Sequence, residues 1–135
     1  MAKRTFPADD KFLNEVIVFL EEELAKADAS TKITMQMDVC IEEVFVNVSH
    51  YAYGGNYGEV DFEIIHKPDD DIVTFVFSDK GIPFDPLKEE DPDITLSANE
   101  REIGGLGIFI CKKIMDDIHY EYIDGRNVLT LVKKI

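Results

Sequence analysis

The segment 41–53, Ile41-Glu42-Glu43-Val44-Phe45-Val46-Asn47-Val48-Ser49-His50-Tyr51-Ala52-Tyr53, constrains this chain more than any other stretch. Its apolar residues recur at helical spacing, yet it places two carboxylates and a carboxamide where a plain core helix carries Ala or Leu. In a helix, residues four apart stack on one face, so Glu43 and Asn47 lie one above the other, with Cys40 and His50 near the same stripe. Standing alone they read as a solvent-facing polar pair, as most Glu and Asn residues are. They acquire a function only if the rest of the chain brings the other parts of a site to them.

The chain has 135 residues, and 45% of them are hydrophobic. That is enough for one compact domain with a real core. Asp and Glu number 28 against 14 Lys and Arg, a formal net charge of −14. Such a surface repels phosphate backbones and anionic membranes, which argues against direct nucleic-acid binding. An anionic small molecule then needs a local device, a cation or a helix N-terminus. Cys40 and Cys111 sit in apolar runs outside any metal-ligand spacing and read as buried free thiols. No signal peptide precedes the charged start, and no apolar run is long enough to span a bilayer, so a cytoplasmic protein without a membrane segment is expected.

Residues 3–6 form a short edge strand closed by Pro7, which cannot donate to a ladder. Asp9 or Asp10 then caps a helix running to about Ala27, with Phe12, Leu13, Val16, Ile17, Leu20 and Leu24 inward and Glu21, Glu22 and Glu23 outward. Residues 28–31 break and recap the chain before a second helix, whose packing face is Ile33, Met37, Ile41, Val44, Phe45 and Val48. The opening segment is its C-terminal half. Residues 60–66 and 72–77 are strands, the second so continuously apolar that cover on both faces is expected. Residues 118–123 and 128–133 flank Asp124-Gly125-Arg126-Asn127 as a hairpin. Between the two pairs of strands, residues 83–103 read as a long proline-bearing, acidic loop suited to a lid, followed by a glycine-rich entry into an apolar helix.

Two further candidates stand out. Asp79, at the end of a strand and two before Gly81, can accept a hydrogen bond from an exocyclic amine such as that of adenine, while Gly81 lets backbone approach a flat ring. An ordinary turn explains the same residues. Gly104-Gly105-Leu106-Gly107 can turn backbone N–H groups toward a phosphate at the positive end of a helix, although neither standard nucleotide fingerprint fits it and a hinge explains it as well. His50, His66 and His119 lack HExxH spacing, and no Ser lies in a GxSxG elbow.

Order decides between these readings. A helix with Glu43-x-x-x-Asn47, a strand ending Asp79-x-Gly81, a long loop, then Gly105-x-Gly107 opening a helix resembles the GHKL ATPase superfamily, the Bergerat fold shared by DNA gyrase and histidine kinases. Residues 43–47 match its N box, 79–83 its first glycine box and 105–107 its second. Within it, the Asn47-to-Tyr53 phrase and the Asp-x-Gly-x-Pro-Phe-Asp-Pro form of 79–86 resemble the bacterial anti-sigma-factor serine kinases of partner-switching systems. The length leaves no room for the phosphoacceptor helix pair of a full histidine kinase.

The resemblance implies a two-layer α/β sandwich: a mixed, mostly antiparallel sheet covered by helices on one face, with an ATP lid over 83–103, all in one domain. It implies ATP and Mg²⁺ as ligand and cofactor. Asn47 would coordinate the metal, Asp79 read adenine beside Gly81, and Gly104, Gly105, Leu106 and Gly107 enclose the phosphates. Glu43 would be general base toward an attacking serine. Arg101 is the lid arginine nearest the family position, and Lys112 and Lys113 are alternative cations; Pro83 replaces the family's second glycine. The implied activity is a serine/threonine protein kinase that binds a sigma factor and phosphorylates an anti-sigma-factor antagonist. The rival is a non-catalytic ATP-binding module that sequesters a protein partner. Relatives of this kind are often dimers, and the 3–6 edge is a candidate contributor to a homodimer.

Overall fold

A computed structural model of the chain describes residues 1–88 and 105–135. The elements are β1 (Ala2–Pro7), a single 3-10 turn (Asp10–Phe12), α1 (Leu13–Lys26), α2 (Thr31–Tyr51), β2 (Glu59–His66), β3 (Ile72–Asp79), a second 3-10 turn (Pro86–Lys88), α3 (Gly105–Ile114), β4 (Asp117–Ile123) and β5 (Arg126–Lys134). Both early helices begin where side-chain oxygens can satisfy free N–H groups. The Asp9 carboxylate accepts from the Lys11 N–H at 3.1 Å ahead of α1, and the Ser30 hydroxyl accepts from the Ile33 N–H at 3.2 Å at the start of α2.

The five strands form one sheet in the order β1-β2-β3-β5-β4, and every neighbouring pair is antiparallel. The expectation of a mixed sheet is corrected among the described residues. Two helices lie between β1 and β2, which returns the chain in the opposite direction. One helix lies between β3 and β4, which makes them parallel in direction, but β5 folds back from β4 and inserts between the two. The hairpin is possible because Asp124 (φ 54°) and Gly125 (φ 76°) both take left-handed backbone, the demand of a two-residue turn between twisted strands.

The helices cover one face of the sheet. Val60, Phe62 and Ile64 of β2, Val73, Phe75 and Phe77 of β3, and Leu129 and Leu131 of β5 are buried at alternate positions. Strand β3 is therefore not covered on both faces, contrary to its continuous apolar run: Ile72 is 39% exposed, and Thr74 and Val76 are half-buried. Their β-branched chains suit an extended backbone whether or not a second layer covers them. Opposite the sheet, α1 contributes Val16, Phe19, Leu20 and Leu24, and α2 contributes Met37, Cys40, Ile41, Val44 and Phe45. Phe19, not anticipated as core, completes an aromatic chain: its ring meets Phe6 at 6.1 Å and Phe62 at 5.7 Å, and Phe62 stacks on Phe77 at 4.3 Å. Each such ring stabilises the fold by about 1.5–3 kcal/mol through the area removed from water. Cys40 and Cys111 are buried free thiols, with the Cys111 S–H donating to the Cys40 carbonyl across the α2–α3 seam.

Part of the expected lid is packed structure. The Phe84 N–H donates to the Asn127 Oδ1 at 3.1 Å, Pro86 is buried, and the Asp85 carboxylate accepts from the Leu87 N–H at 2.8 Å. Within 83–88, Phe84 is thus tied to β5 through its N–H, while the Asp85–Leu87 bond is local. The rest of the expected lid, 89–103, lies outside the described residues.

Candidate functional site

The C-terminal half of α2, the exit of β3, the start of β5 and the first turns of α3 enclose one cleft. Asn47, Val48 and Tyr51 form its α2 wall; Asp79, Ile82 and Phe84 line it after β3; Ile108, Tyr120 and Asn127 close it. Three residues distant in sequence, Asn47, Asp79 and Asn127, thus face one space. Tyr51 and Phe84 stack across its mouth at 5.8 Å with planes 25° apart, a flat apolar surface beside the polar groups.

The end of β3 is held firmly. Asp79 is 4% exposed, and its Oδ1 accepts from the Gly81 N–H and the Asn127 amide, both at 2.9 Å. Gly81 is required on steric grounds. A Cβ there would lie 2.1 Å from the carbonyl oxygen of Ala52, which already accepts from the Ile82 N–H at 2.8 Å. The glycine lets the β3 exit dock on the end of α2. Tyr53 strengthens this junction: its hydroxyl accepts from the Lys80 N–H at 3.0 Å and donates to the Glu59 carbonyl, while its ring covers Gly58.

Asn127 is the residue that the sequence reading passed over as part of a turn. It is 7% exposed, and its Nδ2 donates to Asp79 Oδ1 and to the Ile82 carbonyl at 2.9 Å, with the Gly81 carbonyl at 3.4 Å. Its Oδ1 accepts from the Phe84 N–H and the Tyr120 hydroxyl. The signal available in the sequence was a carboxamide at the second position after the Asp124-Gly125 turn, where the alternation of β5 points it to the core side with Leu129 and Leu131.

Next along α2 from Asn47 lies the seam between α2 and α3. Glu43, one turn before Asn47, turns its carboxylate toward α3: a Cβ at Gly107 would sit 2.0 Å from Glu43 Oε2. Gly107 therefore makes the recess into which the carboxylate fits. Burial, and then the neighbouring Glu42 carboxylate, push the Glu43 carboxyl above the ordinary glutamate value. His50, placed near the same stripe by spacing, is exposed and bonds Asp10 at 2.6 Å on the α1 side, away from the cleft. Gly105 opens α3, followed by Leu106. Gly104 and Arg101 lie outside the described residues.

No group of three or more His, Cys, Asp or Glu that could hold a metal ion occurs among the described residues. Asn47 brings one amide oxygen to the cleft, which it shares with Asp79, Tyr120 and Asn127, a donor that would suit a hydrated Mg²⁺ taking most of its ligands from water and a phosphate-bearing ligand. No helix among the described residues is long and apolar enough to cross a membrane.

Residues 6–133 match the family profile described as histidine kinase-like ATPase domain. The chain is 27% identical over 128 residues to the serine-protein kinase RsbW of Listeria monocytogenes, covering 91% of this chain and 80% of that protein. It is 28% identical over 97 residues to the RsbW of Bacillus cereus, covering 69% of this chain and 59% of the relative. It is 20% identical over 117 residues to the serine/threonine-protein kinase BtrW of Bordetella bronchiseptica, covering 87% and 82%.

Proposed function

The chain belongs to the histidine kinase-like ATPase family, and from that premise we propose that it is a serine/threonine protein kinase of the anti-sigma type, transferring the terminal phosphoryl of ATP to a serine of an anti-sigma-factor antagonist and binding a sigma factor or similar regulator as client. The observation that carries this reading is one cleft that joins Asn47 and Asp79, with Glu43 one helical turn before Asn47 at the α2–α3 seam. Asp79, anchored by donors at the β3 exit, presents an acceptor suited to the adenine amine, and Glu43, raised by burial at the seam, is suited to take a proton. The serine-protein kinases among its relatives support the choice of a serine acceptor.

In this reading the base enters beside the Tyr51–Phe84 stack with its exocyclic amine toward Asp79, and the phosphates extend past Asn47 toward the start of α3. Asn47 would hold Mg²⁺ through its amide oxygen; when bound, such an ion neutralises phosphate charge, which a chain of net charge −14 otherwise opposes. Gly105, Leu106 and Gly107 present backbone N–H groups of the first helical turn toward the phosphates, with Gly104 and Arg101 as neighbouring contributors. Glu43 accepts the proton of the attacking serine hydroxyl as its oxygen bonds phosphorus and the β–γ bridging bond breaks, leaving ADP. The elevated value of its carboxyl makes it a stronger base than an exposed glutamate.

The test is incubation with ATP, Mg²⁺ and candidate antagonist proteins, read as phosphoserine. Transfer is expected, and Asn47→Ala should abolish Mg²⁺-dependent nucleotide binding. Nucleotide binding without transfer to any antagonist would favour a sequestering module over a kinase.

A further inference from the structure

We propose that Asn127 is the positioning residue that sets the base preference of this cleft, holding Asp79 as an acceptor so that adenine is taken and guanine refused. The inference rests on the nucleotide-binding reading above and deepens it. Asn127 and Asp79 are directly opposed partners on β5 and β3, so the register of the sheet brings the carboxamide to the carboxylate. The orientation of the amide is fixed by its surroundings. Its nitrogen faces three acceptors, Asp79 Oδ1 and the carbonyls of Gly81 and Ile82, and its oxygen faces two donors, the Phe84 N–H and the Tyr120 hydroxyl.

Those bonds use the two N–H donors and the two acceptor positions of a carboxamide. Asn127 therefore has no group left for a nucleobase, although it lines the cleft, and it acts through Asp79. With two N–H donors converging on Oδ1, the carboxylate plane is pinned, and what the cleft receives is an acceptor in a fixed direction. Adenine offers an exocyclic N–H to such a group. Guanine offers a carbonyl oxygen at the equivalent place, which leaves two acceptors facing each other in a buried site, the kind of mismatch that binding sites reject most strongly.

The chemistry reverses on substitution. Asn127→Asp sets a second carboxyl against Asp79 Oδ1 and two carbonyls, a cluster of acceptors that a shared proton relieves. With that proton held between the two carboxyls, Asp79 is no longer a fixed, fully charged acceptor, and the discrimination against guanine weakens. Asn127→Leu removes every side-chain bond while keeping the branched outline, which frees Asp79 to rotate without creating a donor. Tyr120→Phe removes one of the two donors to the amide oxygen and leaves the rest.

The experiment measures the affinity of the full chain for fluorescent ATP and GTP analogues, alongside its melting temperature. The parent chain is expected to prefer ATP. Asn127→Asp should reduce that preference by about tenfold, Asn127→Leu should lose about tenfold in ATP affinity with no gain for GTP, and Tyr120→Phe should reduce the preference by about twofold to fivefold. A folded Asn127→Asp that keeps the parental ATP/GTP ratio while melting lower overturns the proposal, because a purely structural residue behaves that way. Where the variants at 127 do not fold, Tyr120→Phe decides, and an unchanged ratio refutes the role. A parent that binds ATP but whose variants keep its ratio removes this inference alone, whereas a parent that binds neither nucleotide removes the nucleotide site as well.

Discussion

The exit of β3 and the α2–α3 seam solve opposite problems with the same chemical group. At the exit of β3, Asp79 is buried deeply and supported by two N–H donors to one oxygen, themselves held by the Asn127 network. At the α2–α3 seam, Glu43 is half-buried in the recess over Gly107, and the cause of its raised carboxyl is burial beside a like charge. The first arrangement suits a group that must keep one shape, since rigid donors remove rotational freedom before a ligand arrives. The second suits a group that must change protonation, because desolvation raises its affinity for a proton. In the function proposed above, the recognition carboxyl and the reactive carboxyl thus differ in what surrounds them.

The largest effect that would break this contrast is at Glu43. Glu43→Gln keeps shape and removes basicity, and phosphoryl transfer should fall by about 10²–10⁴-fold while nucleotide affinity changes little. A carboxyl raised on folding opposes the folded state once pH exceeds its unfolded value, so the neutral variant should melt no lower than the parent near neutral pH. A loss of activity that tracks a loss of melting temperature would make Glu43 a packing residue.

Gly107→Ala tests the recess itself. The added methyl would overlap the Glu43 carboxylate, whose Cδ lies 2.4 Å and Cγ 2.9 Å from the ideal Cβ position, so the whole side chain must move. Transfer should fall by about tenfold or more, since misplacing a catalytic group by about 1 Å is costly. Gly81→Ala strikes the backbone of Ala52, which cannot swing away, and is expected to destabilise the fold by about 1–3 kcal/mol in denaturant titration. If the reverse holds, with Gly81→Ala tolerated and Gly107→Ala unfolding the chain, the assignment of a rigid end and an adjustable end is wrong.

Much of this was legible in the sequence because local signals agreed. Ser30 before Thr31, the Asp124-Gly125 turn, and the helical spacing of Val16, Leu20 and Leu24 each act within a few residues. The expectation that Glu43, Asn47 and Asp79 share a site came from their order along the chain, and Asn47 and Asp79 line one cleft. What escaped depends on pairing across the sheet. Asn127 looks like a turn residue until β5 is set against β3, and Gly81 looks like a ligand-facing glycine until the end of α2 is brought to it. The apolar run of β3 misled because composition reports strand preference without saying how many layers cover the strand. His50 shares a helical stripe with Asn47, but a stripe about 100° wide reaches both the cleft and the α1 side.

The smallest effect sharpens the comparison with a carboxyl on the same helix and away from the cleft. Asp38 is pushed up to about 7 by burial first, then by a hydrogen bond shared with Glu21 of α1 and by the charges of Glu21 and Glu42. Its Oδ1 is buried with no partner. Glu42 thus raises both Asp38 and Glu43, yet only Glu43 faces the recess at α3. Because the folded value exceeds the ordinary 3.8, the native state binds more protons than the unfolded chain between those limits, and stability contributed here falls as pH rises from about 4 to about 7. Asp38→Asn supplies an N–H to Glu21 at every pH. The side chain is largely solvent-screened, so the gain is modest: the variant should melt roughly 2–4 °C above the parent at about pH 8 and level with it at about pH 5. Its transfer rate should follow the parent's pH profile. A changed profile would mean that Asp38 and Glu43 titrate as one unit through Glu42, and the division of α2 into a structural side and a reactive side would not stand.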